Sequence, residues 1–371
     1  MGEFKNVYSR NNTSLCLTCH NIRKKALNLE VIFTDRYFEP SFSWHLIFEW
    51  EDVFSQELGL ELMDSRKVSA VTKYAGKAFN FASRTFHIPD DLLLSLFSIV
   101  DKVTCRKKGL NILLLNLKRR FYFAASRNTI PLVIDFWKTT NLVAFYKNYK
   151  NCPAVLIPDL EVYTYLKDNH CPLNIYHLPL SLPDKYKLSP DTKFNKTYDI
   201  IMPGRINIVL WHYLQDYLKK YPDVEFIHMV QKEDRLHYYN SNKTGIIGLC
   251  EDRDAYMRLL RSSKVAFYST AGIDGGAETR TGGFNPVTPR FLEIVSAGCE
   301  VIARYPKNED TDYFELEKIC ASVASYEEFE CQLNKALNEK ETPVQRNAAY
   351  LAKHYTSVRA AALKQILNQI K

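Results

Sequence analysis

Short, continuous apolar runs recur along the first half of the chain. They show no regular polar alternation, which is typical of strands buried on both faces of a parallel sheet. Segments with helical periodicity or polar composition separate them, so strand and helix alternate. This alternation predicts a parallel sheet with helices on both faces. The predicted strands are residues 29–34, 110–117, 131–136, 153–158 and 174–178, and the predicted helices are residues 42–54, 89–100, 118–128 and 159–168.

The same alternation resumes after a polar break at residues 180–197, which is rich in Pro, Lys, Asp and Ser. A break of this composition predicts an interdomain linker. Because 371 residues suit two domains better than one, we expect two α/β domains, residues 1–185 and 186–371. In the second domain we predict strands at residues 198–202, 224–230, 245–249, 265–268 and from 299 or 300, and helices at residues 208–221, 254–262, 288–297 and 341–370, the last broken near residues 355–356.

The stretch from Lys264 to Pro306 reads as a strand, a Gly-rich loop, a capped helix and a second strand. Thr288 suits the N-cap position, where its hydroxyl can accept from a free N–H of the first turn. Pro289 at the first helical position loses no hydrogen bond, and Gly298 suits the left-handed position after the last turn. The N-terminus of such a helix offers unpaired N–H groups and partial positive charge to a phosphate.

Arg290 and Glu293 give that helix a polar face. Arg290 lies in the first turn, where a guanidinium can bind phosphate oxygens bidentately. Glu293 follows three residues later on the same face, and its carboxylate can accept from the two neighbouring hydroxyls of a ribose. The pattern predicts a nucleoside-diphosphate site. The alternative is that Thr288, Pro289 and Gly298 are ordinary residues for starting and ending a helix, and that Arg290 and Glu293 form a solvated pair.

The second half of the chain resembles the donor-nucleotide domain of GT-B glycosyltransferases, especially the CgeB-like branch. The sequence PRFLEIVSAGCEVIARYP at residues 289–306 is similar to that family's pattern of Arg, Phe, Glu, a small residue and Gly before a hydrophobic strand. The resemblance implies two Rossmann-like domains with a cleft between them and a last helix that crosses back to the first domain. It implies these donor-binding residues: Gly204 and Arg205 beside the phosphates, Gly248 and Leu249 near the base, Thr288 and Arg290 at the diphosphate, and Glu293 at the ribose.

The chain departs from the family's pattern at one position. Many of these enzymes carry a second glutamate eight residues before the first, and here that position is Asn285. Retaining and inverting outcomes therefore both stay open. Asp252 and Asp254 have the spacing of a metal-binding Asp-x-Asp pair, but they open a predicted helix, which N-capping explains better. We expect no metal and no cofactor beyond the nucleotide sugar itself, with a UDP-sugar as the expected donor.

If the transfer is inverting, it also needs a group that deprotonates the acceptor, and the first domain has four candidates. Asp35, Glu39 and His45 lie on or just past the loop that leaves the first strand, and Asp135 ends the strand at 131–136. Ligands of open α/β sheets bind outside the carboxyl ends of the strands. We therefore predict the catalytic base among these residues, with Glu39 and Asp135 preferred. For Asp135 a helix-capping role is an equal alternative.

Composition, net charge and cysteine content indicate which class of protein this is and where in the cell it is expected. The chain is 46% apolar, carries a net charge of +7 and has nine cysteines without a repeating spacing, which fits a folded protein with reduced thiols. The N-terminus lacks the apolar h-region of a signal peptide, and no apolar run is long enough to span a membrane. We therefore expect a cytoplasmic protein. Most of the net charge lies in residues 1–185, which favours peripheral contact with an anionic membrane or an anionic acceptor. No basic-aromatic motif indicates nucleic acid.

These observations predict a metal-independent glycosyltransferase that moves a sugar from a nucleotide-diphosphate donor to a glycan or lipid-linked acceptor. Bacterial surface-polysaccharide synthesis at the inner face of the cell membrane is the expected setting. Two alternatives stay open: a non-catalytic GT-B-like partner subunit, and a nucleotide-sugar epimerase. The motif Cys16-Leu17-Thr18-Cys19-His20 matches a haem-attachment pattern, and we interpret it as coincidence because nothing indicates export.

Overall fold

The computed structural model describes residues 29–37, 42–65, 81, 85, 109–116, 128–231, 237–249, 252–275, 278–339 and 341–370. They form two six-stranded sheets, one from each half of the chain. The fold class predicted from the sequence, two Rossmann-like α/β domains, is confirmed. The predicted helix at 89–100, residues 118–127 of the next predicted helix and the Cys16–His20 motif lie outside the described residues.

The first sheet is entirely parallel and has the order β2-β1-β3-β4-β5-β6. Its strands are β1 (Leu29–Thr34), β2 (Glu61–Asp64), β3 (Leu110–Asn116), β4 (Thr129–Ile134), β5 (Val155–Ile157) and β6 (Ile175–His177). The described helices of this half are α1 (Phe42–Leu58), α2 (Leu142–Tyr149) and α3 (Leu160–Asp168). Alternate residues of the strands are buried on opposite faces. Ile32 and Ile112 pack with α1, whereas Val31 and Leu113 pack with α2 and α3.

The second sheet has the order β10-β9-β8-β7-β11-β12. Its strands are β7 (Tyr198–Met202), β8 (Phe226–Gln231), β9 (His237–Ser241), β10 (Gly245–Leu249), β11 (Ser263–Ser269) and β12 (Glu300–Arg304). Strand β9 runs in the opposite direction to the other five strands, so its pairings with β8 and β10 are antiparallel. The helices are α4 (Ile208–Lys220), α5 (Arg253–Arg261), α6 (Glu278–Thr281), α7 (Pro289–Ser296), α8 (Glu309–Tyr313), α9 (Tyr326–Asn338), α10 (Val344–Leu351) and α11 (Thr356–Leu367).

The chain crosses between the two halves twice, and the two crossings lie side by side. On the first, Leu180 packs in the core of the first sheet and Leu182 in the core of the second. On the return, the Leu182 N–H donates to the His354 carbonyl and the Thr356 N–H donates to the Leu182 carbonyl, both at 2.9 Å. The segment predicted to be a polar linker is therefore buried at Leu182 and paired with the return crossing.

After the return crossing, α11 packs against α1 on the first sheet. Ala360, Leu363 and Leu367 are buried in one cluster with Ile32 and Trp50. Helix α11, from the C-terminal half of the sequence, thus contributes to the core of the first half. None of the helices in the described ranges is both long and apolar enough to cross a membrane.

Candidate functional site

At the carboxyl end of β7, the backbone packs closely against a side chain of α7. Strand order reverses between β7 and β11, and ligands of such sheets bind at this point. Gly204 follows β7 with φ of +76°, a conformation that favours glycine. A Cβ built there would lie 2.4 Å from Nη2 of Arg290. The guanidinium of Arg290 therefore lies directly against the Gly204 backbone, a contact that the sequence did not predict.

Three arginines share this region. The pKa of Arg205 is lowered, first by partial burial and then by the neighbouring guanidiniums of Arg280 and Arg290, while Asp135 of the first domain acts in the opposite direction. Mutual repulsion of this kind is relieved when an anion binds between the cations. The cluster is therefore suited to an anionic group at the carboxyl end of β7.

A further arginine fixes the loops that frame the cluster. Arg304, at the end of β12, binds Asp274 bidentately, at 2.5 Å through Nε and 2.8 Å through Nη2. Asn207, the N-cap of α4, donates to the same carboxylate at 2.8 Å. Asp274 has φ of +60°, and these charge-assisted bonds hold it in that uncommon conformation. The loops after β7, β11 and β12 are thus joined at one carboxylate.

Thr288 occupies the N-cap position of α7, but its hydroxyl does not cap the helix. This corrects the sequence interpretation. The Thr288 N–H donates to the Tyr268 hydroxyl at 3.1 Å, which fixes the residue by its backbone. Its hydroxyl oxygen is buried and has no hydrogen-bond partner among the described residues. The start of α7 is therefore held by Tyr268 and by Pro289.

The side chain of Glu293 is buried inside the protein. It is 3% exposed, and its carboxylate accepts from Nη2 of Arg253 at 2.6 Å and from the Tyr256 hydroxyl at 3.1 Å. The Nε of Arg253 lies 3.5 Å from Oε1 of Glu49 on α1. Burial opposes the charge on Arg253, but Glu293 and Glu49 outweigh it and raise the pKa of the guanidinium. The two oxygens that the sequence assigns to a ribose are engaged within the protein, and the ribose role stays a prediction.

Gly248 and Leu249 lie in β10, the edge strand of the second sheet. Because β9 is antiparallel to both of its neighbours, β10 runs in the same direction as β7 and β8. Leu249 therefore ends at the same edge of the sheet as Gly204, just before α5. Asp252 caps α5 by accepting from the Ala255 N–H at 2.6 Å, as the sequence predicts. This position is compatible with a base-binding role, which remains a prediction.

Asp135 follows β4 directly and has φ of +62°. Aspartate tolerates the left-handed region better than most residues, yet the conformation still costs energy and is found at functional sites. The residue is half-buried. The capping alternative is excluded for the next helix, because Asn141 caps α2 by accepting from the Ala144 N–H. Among the three base candidates that the structure describes, Asp135 has a charge that acts on Arg205.

The other base candidates have different surroundings. Asp35 directly follows β1 and is 7% exposed, and it accepts from the Ser65 hydroxyl at 2.6 Å. His45 lies in the first turns of α1 with its ring 6.2 Å from that of Phe48. Glu39 lies outside the described residues. Asp35 is therefore held by Ser65 at the end of the first sheet, and His45 lies beside an aromatic ring of its own helix.

The two halves meet along a seam between the loop after β4 and the loop around α6. The Lys138 N–H donates to the Thr281 carbonyl at 3.1 Å, and the Thr139 hydroxyl donates to the Arg280 carbonyl at 2.8 Å. The guanidinium carbon of Arg280 lies 5.0 Å from the centre of the Trp137 ring, within cation–π range. The backbone and the side chain of Arg280 are thus both held by the first domain.

Carboxylates join the halves at a second part of the seam. Asp310 accepts from the Leu160 and Glu161 N–H groups at the start of α3, at 2.9 and 3.0 Å. In return, Glu161 accepts from the Asn285 N–H at 2.7 Å. Burial, with like charges nearby, raises the pKa of Glu161 to about 7 and that of Asp310 to about 6. The pKa of Asp159 is also raised, by burial and then by Asp310.

Sequence reasoning missed three residues of this region: Glu49, Arg253 and Arg280. Arg280 carried a signal, because it is a basic residue in the Gly- and Thr-rich loop before α7. Arg253 was considered only as part of an Asp-x-Asp spacing. Glu49 has no local signal, since its partners Arg253 and Lys185 are remote in sequence.

No protein-family model matches the chain, and no curated protein matches it. Among solved structures, the chain is similar to the GtfA/B complex, with 13% identity and a TM-score of 0.47 over 76% of this chain and 60% of that one. It is similar to a mutant of S. aureus TarM in complex with Fondaparinux, alpha-GlcNAc-glycerol and UDP, with 13% identity and a TM-score of 0.49 over 74% and 59%. It is also similar to a UDP-N-acetylglucosamine 2-epimerase, with 12% identity and a TM-score of 0.46 over 93% and 96%.

The chain spans about 60% of the length of the GtfA/B and TarM chains. Identities this low, with TM-scores below 0.5, carry no functional argument. The function must be inferred from the residues of the site.

Proposed function

We propose that the chain is a glycosyltransferase that binds a nucleoside-diphosphate sugar between its two sheets and transfers the sugar to an acceptor on the first domain. The observation that carries this proposal is the arginine cluster. Arg290 lies against the Gly204 backbone at the strand-order reversal, next to Arg205 in the chain's fold, and the charge of Asp135 in the first domain acts on Arg205. The arginines can stabilise the negative charge of the leaving diphosphate, and the carboxylate can act as the base for the acceptor.

The proposed chemistry divides between the halves. When the bond between sugar and diphosphate breaks, negative charge develops on the leaving phosphate, and Arg205 and Arg290 stabilise it as fixed positive charge. In this role guanidinium groups replace a metal ion. Asp135 removes the proton from the acceptor hydroxyl as it attacks the sugar carbon. A carboxylate already held at a strand end loses little freedom when the acceptor binds.

The finer features of the proposal rest on the sequence. A glycan or lipid-linked acceptor at the inner face of the cell membrane, in bacterial surface-polysaccharide synthesis, fits the basic balance of the first domain. A UDP-sugar is the proposed donor, with the base near Leu249.

The proposal is tested by thermal unfolding with UDP, GDP, CMP and the corresponding nucleotide sugars. A ligand at 100 times its dissociation constant stabilises the fold by about 2.7 kcal/mol, which shifts the midpoint measurably. Arg290→Met should abolish the shift. Arg346→Met is the matched control, because Arg346 lines a groove with Gly298 and Glu300 at the opposite edge of the sheet. If none of the nucleotides shifts the midpoint, the donor site is wrong.

The second candidate is a GT-B-like subunit that binds nucleotide without catalysis. The buried Glu293, with both oxygens engaged by Arg253 and Tyr256, favours it, as does Asn285 at the family's second glutamate position. An assay for released nucleoside diphosphate distinguishes the enzyme from the non-catalytic subunit. It uses a nucleotide sugar that binds the chain, with glycan acceptors added. Binding without release over a panel of acceptors supports the non-catalytic subunit.

A further inference from the structure

The first turn of α3 is capped by a residue of the other domain. Asp159 occupies the N-cap position with an extended backbone (φ −95°, ψ 123°), yet its side chain makes no capping hydrogen bond. Instead, the carboxylate of Asp310 accepts from the Leu160 N–H at 2.9 Å and from the Glu161 N–H at 3.0 Å. These are the first two residues of the helix, whose N–H groups have no partner within the helix itself. The start of α3 therefore depends on a carboxylate from α8.

Asp159 has the residue type and the backbone conformation of a capping residue. An N-cap aspartate or asparagine normally accepts from the second or third N–H of its helix. The N-cap residues of α2, α4, α5 and α8 are of this type and each makes such a bond: Asn141, Asn207, Asp252 and Asn308. Asp159 is thus a cap that the chain supplies at the right place and does not use in this arrangement.

The two carboxyls compete for one helix start. Asp310 is fully buried and Asp159 is 5% exposed. Burial, and then the charge of Asp310, raises the pKa of Asp159, as expected for neighbouring carboxyls. Repulsion from Asp310 disfavours turning the Asp159 carboxylate towards the same N–H groups. If Asp310 withdraws, the N–H groups lose their partner and the repulsion is removed, so Asp159 can cap α3 by rotation of its own side chain.

Other contacts hold the halves together at this place. Glu161 accepts from the Asn285 N–H at 2.7 Å, so each domain supplies a carboxylate to the backbone of the other. Phe284 is buried in the core of the first half, with its ring 5.2 Å from that of Tyr165. Interfaces between domains of one chain move by default unless they are large and apolar. The contacts therefore make the Asp310-capped arrangement the resting one and leave a released arrangement accessible.

We propose that the start of α3 is a two-position latch, in which Asp310 caps the helix while the halves are in contact and Asp159 caps it when α8 moves away. The helix keeps a cap in both positions, so the halves can separate at the contact between α3 and α8 without fraying α3. The inference is independent of the proposed function, because no ligand takes part in the exchange of caps.

Amide hydrogen exchange of the ligand-free chain, resolved by residue through NMR, reads the latch. The Leu160 amide reports the bond to Asp310, and the Asn285 amide reports the contact between the halves. The Tyr163 amide donates to the Asp159 carbonyl at 2.9 Å and reports whether the first turn of α3 is intact. In Asp310→Ala, exchange at Leu160 and Asn285 should accelerate about fivefold or more, whereas exchange at Tyr163 should change less than about twofold because Asp159 takes over the cap.

The double variant isolates the second cap. Asp159→Ala alone should leave all three amides unchanged, since Asp310 still caps the helix. Asp159→Ala combined with Asp310→Ala should accelerate exchange at Tyr163 about fivefold, because the helix then has neither cap. Asp312→Ala is the matched control, at an exposed aspartate on the same helix as Asp310, and should change none of the three amides. If Asp310→Ala does not fold, Asp310→Asn keeps the volume and one acceptor oxygen and should give the same pattern with smaller changes.

Each outcome supports or overturns the latch. Fast exchange at Tyr163 in Asp310→Ala alone, equal to that in the double variant, would show that Asp159 does not take over. Fast exchange at Tyr163 in Asp159→Ala alone would show that Asp159 already supports the helix in the resting arrangement. Unchanged exchange at Leu160 and Asn285 in Asp310→Ala would show that Asp310 does not hold the halves together.

Discussion

Arg253 donates to Glu293 across 2.6 Å inside the protein, and the same guanidinium lies 3.5 Å from Glu49 of the first domain. One buried cation is therefore shared by two carboxylates from different domains. Glu49 also pairs with Lys185 at 2.9 Å and accepts from the Tyr186 hydroxyl at 2.8 Å. Helix α7, which carries Glu293, is thereby connected through α5 to α1 and to the first crossing of the chain.

Glu293→Ala should lower the free energy of unfolding by about 3 kcal/mol, because it leaves a buried guanidinium with its best partner removed. The measurement is urea denaturation at neutral pH. Glu300→Ala is the control, since Glu300 and Arg346 form a partly exposed pair at 3.5 Å and pairs in contact with solvent contribute less than about 1 kcal/mol. Equal effects of the two substitutions would show that the Arg253 network does not stabilise the fold.

Gly204→Ala should reduce both stability and nucleotide binding. A non-glycine residue at φ of +76° costs about 1–2 kcal/mol, and the new Cβ would displace the Arg290 guanidinium, which lies 2.4 Å away. Gly59→Ala separates the two effects, because Gly59 has φ of +66° with open space around it. Both variants should unfold earlier in urea. Only Gly204→Ala should lose the nucleotide-induced shift, and retention of that shift would contradict the position of Arg290.

The sequence predicted those features that depend on neighbouring residues. The strand at 265–268, the helix begun by Pro289 and the stop at Gly298, which has φ of +67°, follow from local apolar runs and backbone preferences. Strand β9 was missed because its sequence, HYYNS, is largely polar and has no apolar run. It forms by pairing with β8 and β10, which no local signal reports.

The candidate site was predictable only in part, for the same physical reason. Gly204 and Arg290 were proposed as site residues because each belongs to a short motif, but their contact joins the loop after β7 to α7, which no local motif reports. The engagement of Glu293 by Arg253, and the pairing of Asp310 with the start of α3, arise from tertiary packing between remote segments. The Thr288 hydroxyl was expected to cap α7, but Thr288 is instead held through its N–H, which donates to the Tyr268 hydroxyl of β11.

Glu161→Gln should make stability less dependent on pH. Burial raises the folded-state pKa of Glu161 to about 7, whereas the unfolded value is about 4.3. The folded wild-type chain therefore holds an extra proton between these values and loses stability as pH rises through that window. Urea denaturation at several pH values from 5 to 8 should show the variant gaining on the wild type as pH rises.

Glutamine can still accept from the Asn285 N–H, so the bond across the seam is kept in Glu161→Gln. Glu317→Gln, at an exposed carboxylate outside the seam, should differ from the wild type by a constant amount over the same range. A Glu161→Gln curve parallel to that of the wild type would show that Glu161 ionises normally in the folded chain.

Leu363→Ala should destabilise the first domain, although residue 363 lies at the far end of the sequence. Leu363 is fully buried in the cluster that contains Ile32 and Trp50, and such truncations cost about 2–5 kcal/mol. Hydrogen exchange read by mass spectrometry should show reduced protection in β1 and β3. Leu333→Ala, at an equally buried position on α9 in the second domain, should reduce protection in β7 and β11. The reverse pattern would contradict the packing of α11.

The packing of α11 on α1 also has a consequence for synthesis of the chain. Strands β1 to β6 leave the ribosome well before residues 356–370, yet Ala360, Leu363 and Leu367 cover one face of their sheet. Until residues 356–367 are made, that face has α1 but not α11 packed against it, whereas the strands of the second sheet and α9 are complete by residue 338. The later-made half can therefore complete its core first, which inverts the usual order in which domains mature from the N-terminus.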